Sequence, residues 1–356
     1  MNKQEAIQQL WQTSFHDSEE FIRFYFRHKY EDGNALLHVE NERPLSALLM
    51  LPYPMRWTGT TLMTSYISGA CTLPEARNRG LMSNLLRNAF GVMHRRNIAL
   101  STLIPAEEWL FDYYARLGYA PVFEYAREFF DARTDAPAVT GGHTVVPETY
   151  DAPFFQNLFP YFKRKMEERD TCIQHPMADY QAVTEEIYLS GGRIAVSYPN
   201  HSSAPSGMAF AIQEKEHLLV KELLCETKED KRRLLHALAA TQHLPEIILR
   251  TPSSSNAIRY GMARITHAQS MLRHLAQQHP SCSLTLRIED PQLPANSGCY
   301  VLEKGTCFRP SKATADLETD IPTLTQALLG SHPEQLPATL SHLVETTSPH
   351  MSLMMD

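Results

Sequence analysis

The succession of hydrophobic periods over residues 35–104 constrains the fold more than any other feature of the chain. Runs at 35–39, 45–51 and 62–73 have β-strand character and are divided by turn formers at 42–44 and 57–59, which predicts an antiparallel meander. From Gly80 to residue 96 the period lengthens. Leu81, Leu85, Ala89 and Met93 recur at i+4 beside Met82, Leu86 and Phe90, forming the apolar stripe of an amphipathic helix. Arg95-Arg96-Asn97 closes that helix with basic residues that complement its dipole. A strand over 98–104 follows, then Pro105, then a helix over 107–116 that ends at Gly118. Ahead of the meander, the first ~30 residues read as helix, with Asp17 as N-cap and Phe21, Phe24 and Tyr25 as its apolar stripe; Asp32-Gly33-Asn34 stops it.

At 356 residues the chain exceeds one core, because single cores stop growing at roughly 250–300 residues. The Pro, Thr and Gly-rich stretch 134–142 reads as a linker. Beyond it, strands at 193–197, 206–213 and 217–226, a helix at 228–242 and a strand at 246–250 repeat the earlier order. Internal duplication and an unrelated α/β insert both fit this pattern. The loop Thr227-Lys228-Glu229-Asp230-Lys231 has no glycine, so a second copy is not expected to bind the same ligand as the first. From about residue 262 a helix, strands at 283–289, 298–303 and 305–310, and short helices at 321–329 and 336–343 suggest a small third α+β domain. The expected domains are 1–133, 143–261 and 262–356.

Hydrophobic residues make up 43% and charged residues 21%, within the soluble globular range. The net charge is −7 with no dense Lys/Arg cluster, which argues against a nucleic-acid partner. The first residues have no signal-peptide apolar core, and no apolar run reaches the ~20 residues of a membrane span; a cytoplasmic location is expected. Six cysteines lack any Cys-x-x-Cys pair and 16 histidines lack a metalloprotease spacing, so no metal is expected.

The chemistry concentrates at Arg77-Asn78-Arg79-Gly80-Leu81-Met82. A helix N-terminus offers unpaired N–H groups and about half a positive charge, and phosphates bind there when the turn is sterically open. Gly80 provides that opening. Each charge-assisted hydrogen bond from Arg77 or Arg79 to a phosphate oxygen is worth about 1.5–3 kcal/mol. The strand ending at Cys71, Thr72 and Leu73 leads into the turn, and its edge suits an extended amide-bearing arm, with Cys71 and Leu73 as backbone contacts. Arg-x-x-Gly alone describes many exposed helix caps. Its placement between a β run and an amphipathic helix favours a phosphate site.

On this motif the sequence resembles the GNAT acetyltransferase superfamily, whose pyrophosphate loop is Arg/Gln-x-x-Gly-x-Gly/Ala; Arg77, Gly80 and the position of Met82 match the spacing, with Met82 departing from the small final residue. The run Arg77-Asn78-Arg79-Gly80-Leu81 (Arg-x-Arg-Gly-Leu), and Tyr114-Ala115-Arg116-Leu117-Gly118-Tyr119 against Tyr-Gly-Arg-Phe-Gly-Tyr, are similar to the Eis-like (enhanced intracellular survival) acetyltransferases. The resemblance implies an α/β (α+β) fold of tandem GNAT-like mixed-sheet domains plus a small C-terminal sterol-carrier-like domain. It also implies acetyl-CoA as co-substrate, bound by Cys71, Thr72, Leu73, Arg77, Arg79, Gly80, Leu81 and Met82, an amine-bearing small molecule or peptide as acceptor, and homo-oligomerisation.

Deprotonating an amine of pKa ~10.4 at pH 7 costs about 4.6 kcal/mol, yet residues 65–73 contain no Asp or Glu to act as base. The Eis-like resemblance implies a substitute, the carboxylate at Asp356, acting as base or as an orienting group. Residues 351–355 are apolar, which favours a docked tail over a frayed one. Tyr114 is the implied general acid returning a proton to the thiolate; a helix aromatic packed in the core is the plainer reading, and suits Tyr113 and Tyr119 better. Glu107 and Glu108 are second-ranked bases, since glutamates at helix N-termini are commonly caps. A non-catalytic acyl-CoA-sensing or lipid-binding module is the alternative function.

Overall fold

The computed structural model describes residues 2–136, 141–252, 257–331 and 343–355. The chain divides into two compact units, Met1–Phe123 with Tyr260–Pro349 and Glu124–Arg259 with His350–Asp356.

The first unit begins with two helices, α1 (Lys3–Phe15) and α2 (Glu19–Lys29), where the sequence predicted one. The N-cap of α2 is Ser18, whose hydroxyl accepts the Phe21 N–H; Asp17 accepts the Trp11 indole N–H at 2.7 Å instead. The meander follows as β1 (Ala35–Glu40), β2 (Arg43–Trp57) and β3 (Thr60–Thr72). Arg43 and Pro44, expected in a turn, lie in β2. The reversal is made by Asn41 and Glu42, both with positive φ. Helix α3 (Leu81–Arg95) crosses to β4 (Leu100–Leu103), which pairs parallel to β3, and α4 (Glu108–Ala115) precedes β5 (Ala120–Asp131). Leu85, Leu86, Ala89, Phe90 and Met93 of α3 are buried in a core with Leu48, Met50, Ile67 and Leu103 of the sheet.

The second unit contains β6 (Gly142–Val145), α5 (Ala152–Glu167), β7 (Cys172–Ile173), α6 (Met177–Leu189), β8 (Arg193–Pro199), β9 (Gly207–Glu214), β10 (His217–Cys225), α7 (Lys228–Gln242) and β11 (Glu246–Pro252). Strands β8, β9 and β10 pair antiparallel in turn, and β10 pairs parallel to β11 across α7. In the first unit β2, β3, α3 and β4 follow the same succession. Leu234, Leu235 and Leu238 of α7 pack on Leu218, Val220, Ile247 and Leu249.

The chain re-enters the first unit in β12 (Ile258–Ile265), antiparallel to β4. Residue 262 therefore stands in a strand, and the helix expected from there is α8 (Ala268–Gln278). Strands β13 (Ser283–Glu289), β14 (Gly298–Glu303), β15 (Thr306–Phe308) and β16 (Leu317–Asp320) form a four-stranded sheet in the order β15-β14-β13-β16, followed by α9 (Ile321–Leu328). The helix predicted at 336–343 falls almost wholly outside the described residues. This segment is tied into the first unit by polar bonds as well as packing. The Trp57 indole donates to the Leu328 carbonyl at 2.7 Å, and the Gln278 amide donates to the Thr58 hydroxyl at 2.6 Å. Arg264, fully buried, donates to Asp290 at 2.6 Å and lies 4.1 Å over the Phe90 ring. A buried cation requires such a counter-charge. None of the helices among the described residues is long and apolar enough to cross a membrane.

Candidate active site

Two features of β3 prepare the site. Its parallel ladder with β4 runs over Thr64–Leu100, Ser65–Ser101 and Tyr66–Thr102, while β3 continues to Thr72. Beyond that ladder a β-bulge intervenes: Cys71 pairs with Ala47 and Ser68 with Leu49, so Gly69 and Ala70 together oppose Leu48. A bulge bends its strand and increases the local twist, here at the point where β3 parts from β4. Gly69 adopts φ +58°, and a Cβ there would lie 2.2 Å from the Trp11 ring. The position is thus closed to any other residue by conformation and by space. The sequence carried this signal as a Ser-Gly dipeptide inside a strand run, which the β reading passed over.

Backbone direction sorts the three candidates at the strand's end. The Leu73 N–H donates to the Leu45 carbonyl and the Leu73 carbonyl accepts from Ala76 N–H, both at 2.9 Å, so Leu73 does not present the free edge expected of it. The Cys71 carbonyl accepts from the Ser46 hydroxyl at 2.9 Å. Because alternate residues of a strand point their backbone groups to opposite edges, Thr72, and Ala70 two residues before it, face away from β2. Burial pushes the Cys71 thiol up to about 11, which suits a packing residue.

The turn itself is built from two left-handed residues, Asn78 at φ +62° and Gly80 at φ +76°, with Gly80 as the N-cap of α3. A Cβ on Gly80 would meet nothing within 4 Å, so the space over the helix N-terminus is open. The first amide of α3 to bond within the helix is that of Asn84, onto the Gly80 carbonyl at 3.0 Å; the amides of Leu81, Met82 and Ser83 precede it at the positive end of the dipole. Leu81 is buried with Leu45 and Ala76, and Met82 is half-buried against the core, so both side chains anchor the turn while their backbones face its mouth. Arg77 is exposed, its Nε donating to the Thr72 carbonyl at 3.3 Å. Arg79 pairs with Glu40 at 2.6 Å, and the bond from Arg79, with a second from His38, holds that carboxyl below its ordinary range. An exposed pair of this kind contributes little to stability, so Arg79 is easily exchanged onto a phosphate.

Three tyrosines cluster at the end of α4. Tyr113 shares a 3.0 Å hydrogen bond with Ser83, and buried Tyr119 shares one of 2.7 Å with Ser101. Tyr114 is 8% exposed, edge-on to both other rings, and its hydroxyl has no hydrogen-bond partner among the described residues. Burial raises its pKa, so it stays protonated and able to donate. Gly118, at φ +85°, ends the segment where a Cβ would lie 3.1 Å from Arg264 Nη1. Glu107 and Glu108 are exposed, and Glu107 accepts the Trp109 indole N–H at 2.6 Å. Asp356 lies outside the described residues. The residues before it do not fray: Met351, Ser352, Leu353, Met354 and Met355 are all buried.

The corresponding helix N-terminus of the second unit is already occupied by its own anion. Asp230, 2% exposed at the first turn of α7, accepts from the Ser197, Ser206 and Thr227 hydroxyls and from Arg233, with bonds of 2.5–2.6 Å. These donors hold its carboxyl below its usual range against the opposing effect of burial.

Residues 2–122 match the family model described as an acetyltransferase (GNAT) domain, and residues 268–344 match the sterol carrier protein domain. No curated relative matches the sequence. Among solved structures the chain is similar to a conserved protein of unknown function from Enterococcus faecalis V583, termed a probable N-acyltransferase (17% identity, 97% of this chain and 94% of that one, TM-score 0.75). It is also similar to a GCN5-related N-acetyltransferase from Kribbella flavida (19%, 97% and 93%, TM-score 0.72) and to Eis1 from Mycobacterium abscessus (13%, 92% and 87%, TM-score 0.68). With its open helix N-terminus on the matched segment, the protein is an acyltransferase built on a GNAT acetyltransferase domain, with a sterol carrier protein domain toward its C-terminus.

Proposed function

We propose that the protein transfers an acetyl group from acetyl-CoA to a primary amine by direct attack, within a three-domain organisation of 1–133, 143–261 and 262–356. The observation that carries this reading is the open N-terminus of α3 behind the bulged end of β3. The pyrophosphate takes the amides of Leu81, Met82 and Ser83 and the guanidinium groups of Arg77 and Arg79. The pantetheine arm runs along Thr72 and Ala70 as an added strand. The amine attacks the thioester carbonyl, the carbon–sulfur bond breaks, and Tyr114 donates its proton to the departing thiolate. Asp356 takes the amine's proton or orients the amine. An acidic surface, at net charge −7, favours a cationic acceptor.

An acetyl-CoA assay over aminoglycosides, polyamines, peptides and free lysine, reading thiol release, tests this directly. Amine-dependent release that is lost in Tyr114→Phe is the expected outcome. Coenzyme A binding with no release across the panel would instead favour a sensing module.

A further inference from the structure

The sheet of the second unit carries an arrangement of charge that its packing does not require. Strands β5 and β11 are antiparallel partners, and their register sets Tyr125 opposite Pro252, Arg127 opposite Arg250 and Phe129 opposite Ile248. Phe130, Ile247 and Leu249, which alternate with them, pack toward α7, so these three rungs stand on the other face of the sheet. Like charges directly opposite each other on one face destabilise a strand pair. An anion taken between the two guanidinium groups removes that repulsion and gains charge-assisted hydrogen bonds.

The surroundings form a receptacle for such an anion. A cavity of about 220 Å³ is lined by both arginines, by Leu219 and Ile248, and by Tyr125, His217 and Lys215, the last at the tip of the β9–β10 hairpin. Arg250 lies 5.1 Å over the Tyr125 ring, a contact that holds its guanidinium in place before any ligand arrives. Neither Arg127 nor Lys215 has an ion-pair partner among the described residues. The acid in the lining, Glu214, sits 3.3 Å from the His217 ring, and the three cations outnumber it. Across His217 and Ile248 lies a second cavity of about 390 Å³, with Phe129 in its wall. Phe129 is 73% exposed. A large ring left in water one rung from paired arginines offers a stacking platform beside an anion seat. All of these residues belong to the second unit.

We propose that this face of β5, β11 and β10 binds a small aromatic phosphomonoester, its phosphate between Arg127, Lys215 and Arg250 and its ring on Phe129. The first cavity is smaller than the ~300–1,000 Å³ of drug-sized pockets, so it seats the phosphate while the ring lies over the adjoining one. The site shares no residue with the turn at Arg77 to Met82, and it does not depend on the acetyl-transfer reading.

Titration of the full chain with adenosine and uridine monophosphates, in phosphate-free buffer at low salt, tests the site, with inorganic phosphate and adenosine as partial ligands. Arg127 and Phe129 are both exposed, so Arg127→Gln and Phe129→Ala remove no buried contact. Expected are saturable binding of the monophosphates and weaker binding of either part alone. Arg127→Gln should weaken monophosphate binding about 10- to 100-fold, as loss of a charge-assisted contact gives, and Phe129→Ala about 10-fold. Gly80→Asp should leave it unchanged. Without ligand, Arg127→Gln should melt no lower than the parent, because it relieves the like-charge rung. Absence of saturation at millimolar monophosphate overturns the site, as does parental affinity in Arg127→Gln. Binding lost in Gly80→Asp but kept in Arg127→Gln assigns the ligand to the turn before α3 instead. Inorganic phosphate binding as tightly as the monophosphates, unmoved by Phe129→Ala, overturns the part given to the ring. A lowered melting temperature in Arg127→Gln shows that the arginine rung serves the fold, which overturns the argument from repulsion.

Discussion

Replacing Gly80 by Asp sets a carboxylate over the N-terminus of α3, where a Cβ meets nothing within 4 Å and where the pyrophosphate is proposed to lie. The fold should tolerate the change. Asp and Asn enter the left-handed region more readily than other residues, the conformation costs on the order of 1 kcal/mol, and no neighbour must shift. Binding should not tolerate it. A unit charge about 5 Å from a phosphate charge, at an effective dielectric near 20, is repelled by about 3 kcal/mol, which is roughly a 100-fold loss in affinity. Gly80→Asn has the same shape without the charge, so the ratio between the two variants isolates electrostatics from bulk. Calorimetric titration with coenzyme A, on variants first shown to melt within a few degrees of the parent, reads the ratio. Raising the ionic strength should narrow it. Equal affinity in Asp and Asn variants would show that no phosphate sits over this turn.

Tyr114→Phe keeps the ring in its core and removes only the hydroxyl, so kcat should fall by about 10²–10⁴ with coenzyme A affinity preserved, measured by turnover alongside titration. Gly69→Ala should destabilise the first unit by about 2–4 kcal/mol, read by thermal or urea denaturation, because strain at φ +58° and the 2.2 Å approach to Trp11 add. Cys71 and Cys307 have thiols pushed by burial up to about 11, and Cys172 up to about 12. The thiolate is the reactive form and these pKa values are raised, so at pH 8 about one thiol in a thousand or fewer is ionised. Ellman-type titration of the native protein should therefore leave all three unreacted until denaturant is added, and fast native labelling at Cys71 would contradict its burial.

Much of the site was legible because it is local. Gly80 and the stripe of α3 follow from spacing within a few residues, Tyr114 came with the Eis-like resemblance, and strands β8, β9, β10 and β11 lie within two residues of their expected ends, whereas the short β6 and β7 went unread. The failures have physical causes. Helix α5 went unread because Pro153 and Pro160 interrupt its pattern, although Asp151 caps it by accepting the Phe154 N–H. Residue 262 looked helical because β12 is buried through Met262, Ala263 and Ile265 and so lacks the alternation that marks a half-exposed strand. Ser18 and Asp17 are equally good caps in sequence, and the choice was decided by Trp11 capturing the aspartate. Glu222 of β10 carries no sequence signal at all, since its side-chain partners Arg169, His350 and Ser352 lie 53, 128 and 130 residues away.

Asp230 gives the two helix N-termini different relations to their surroundings. In the second unit the anion is part of the chain, so that end of the fold is always saturated and indifferent to metabolite levels. In the first it is proposed to arrive with the coenzyme, and stability there rises with ligand concentration, by about 2.7 kcal/mol at one hundred times Kd. On that proposal, the stability of the first unit's site follows the supply of coenzyme, whereas the Asp230 site carries its anion at any supply.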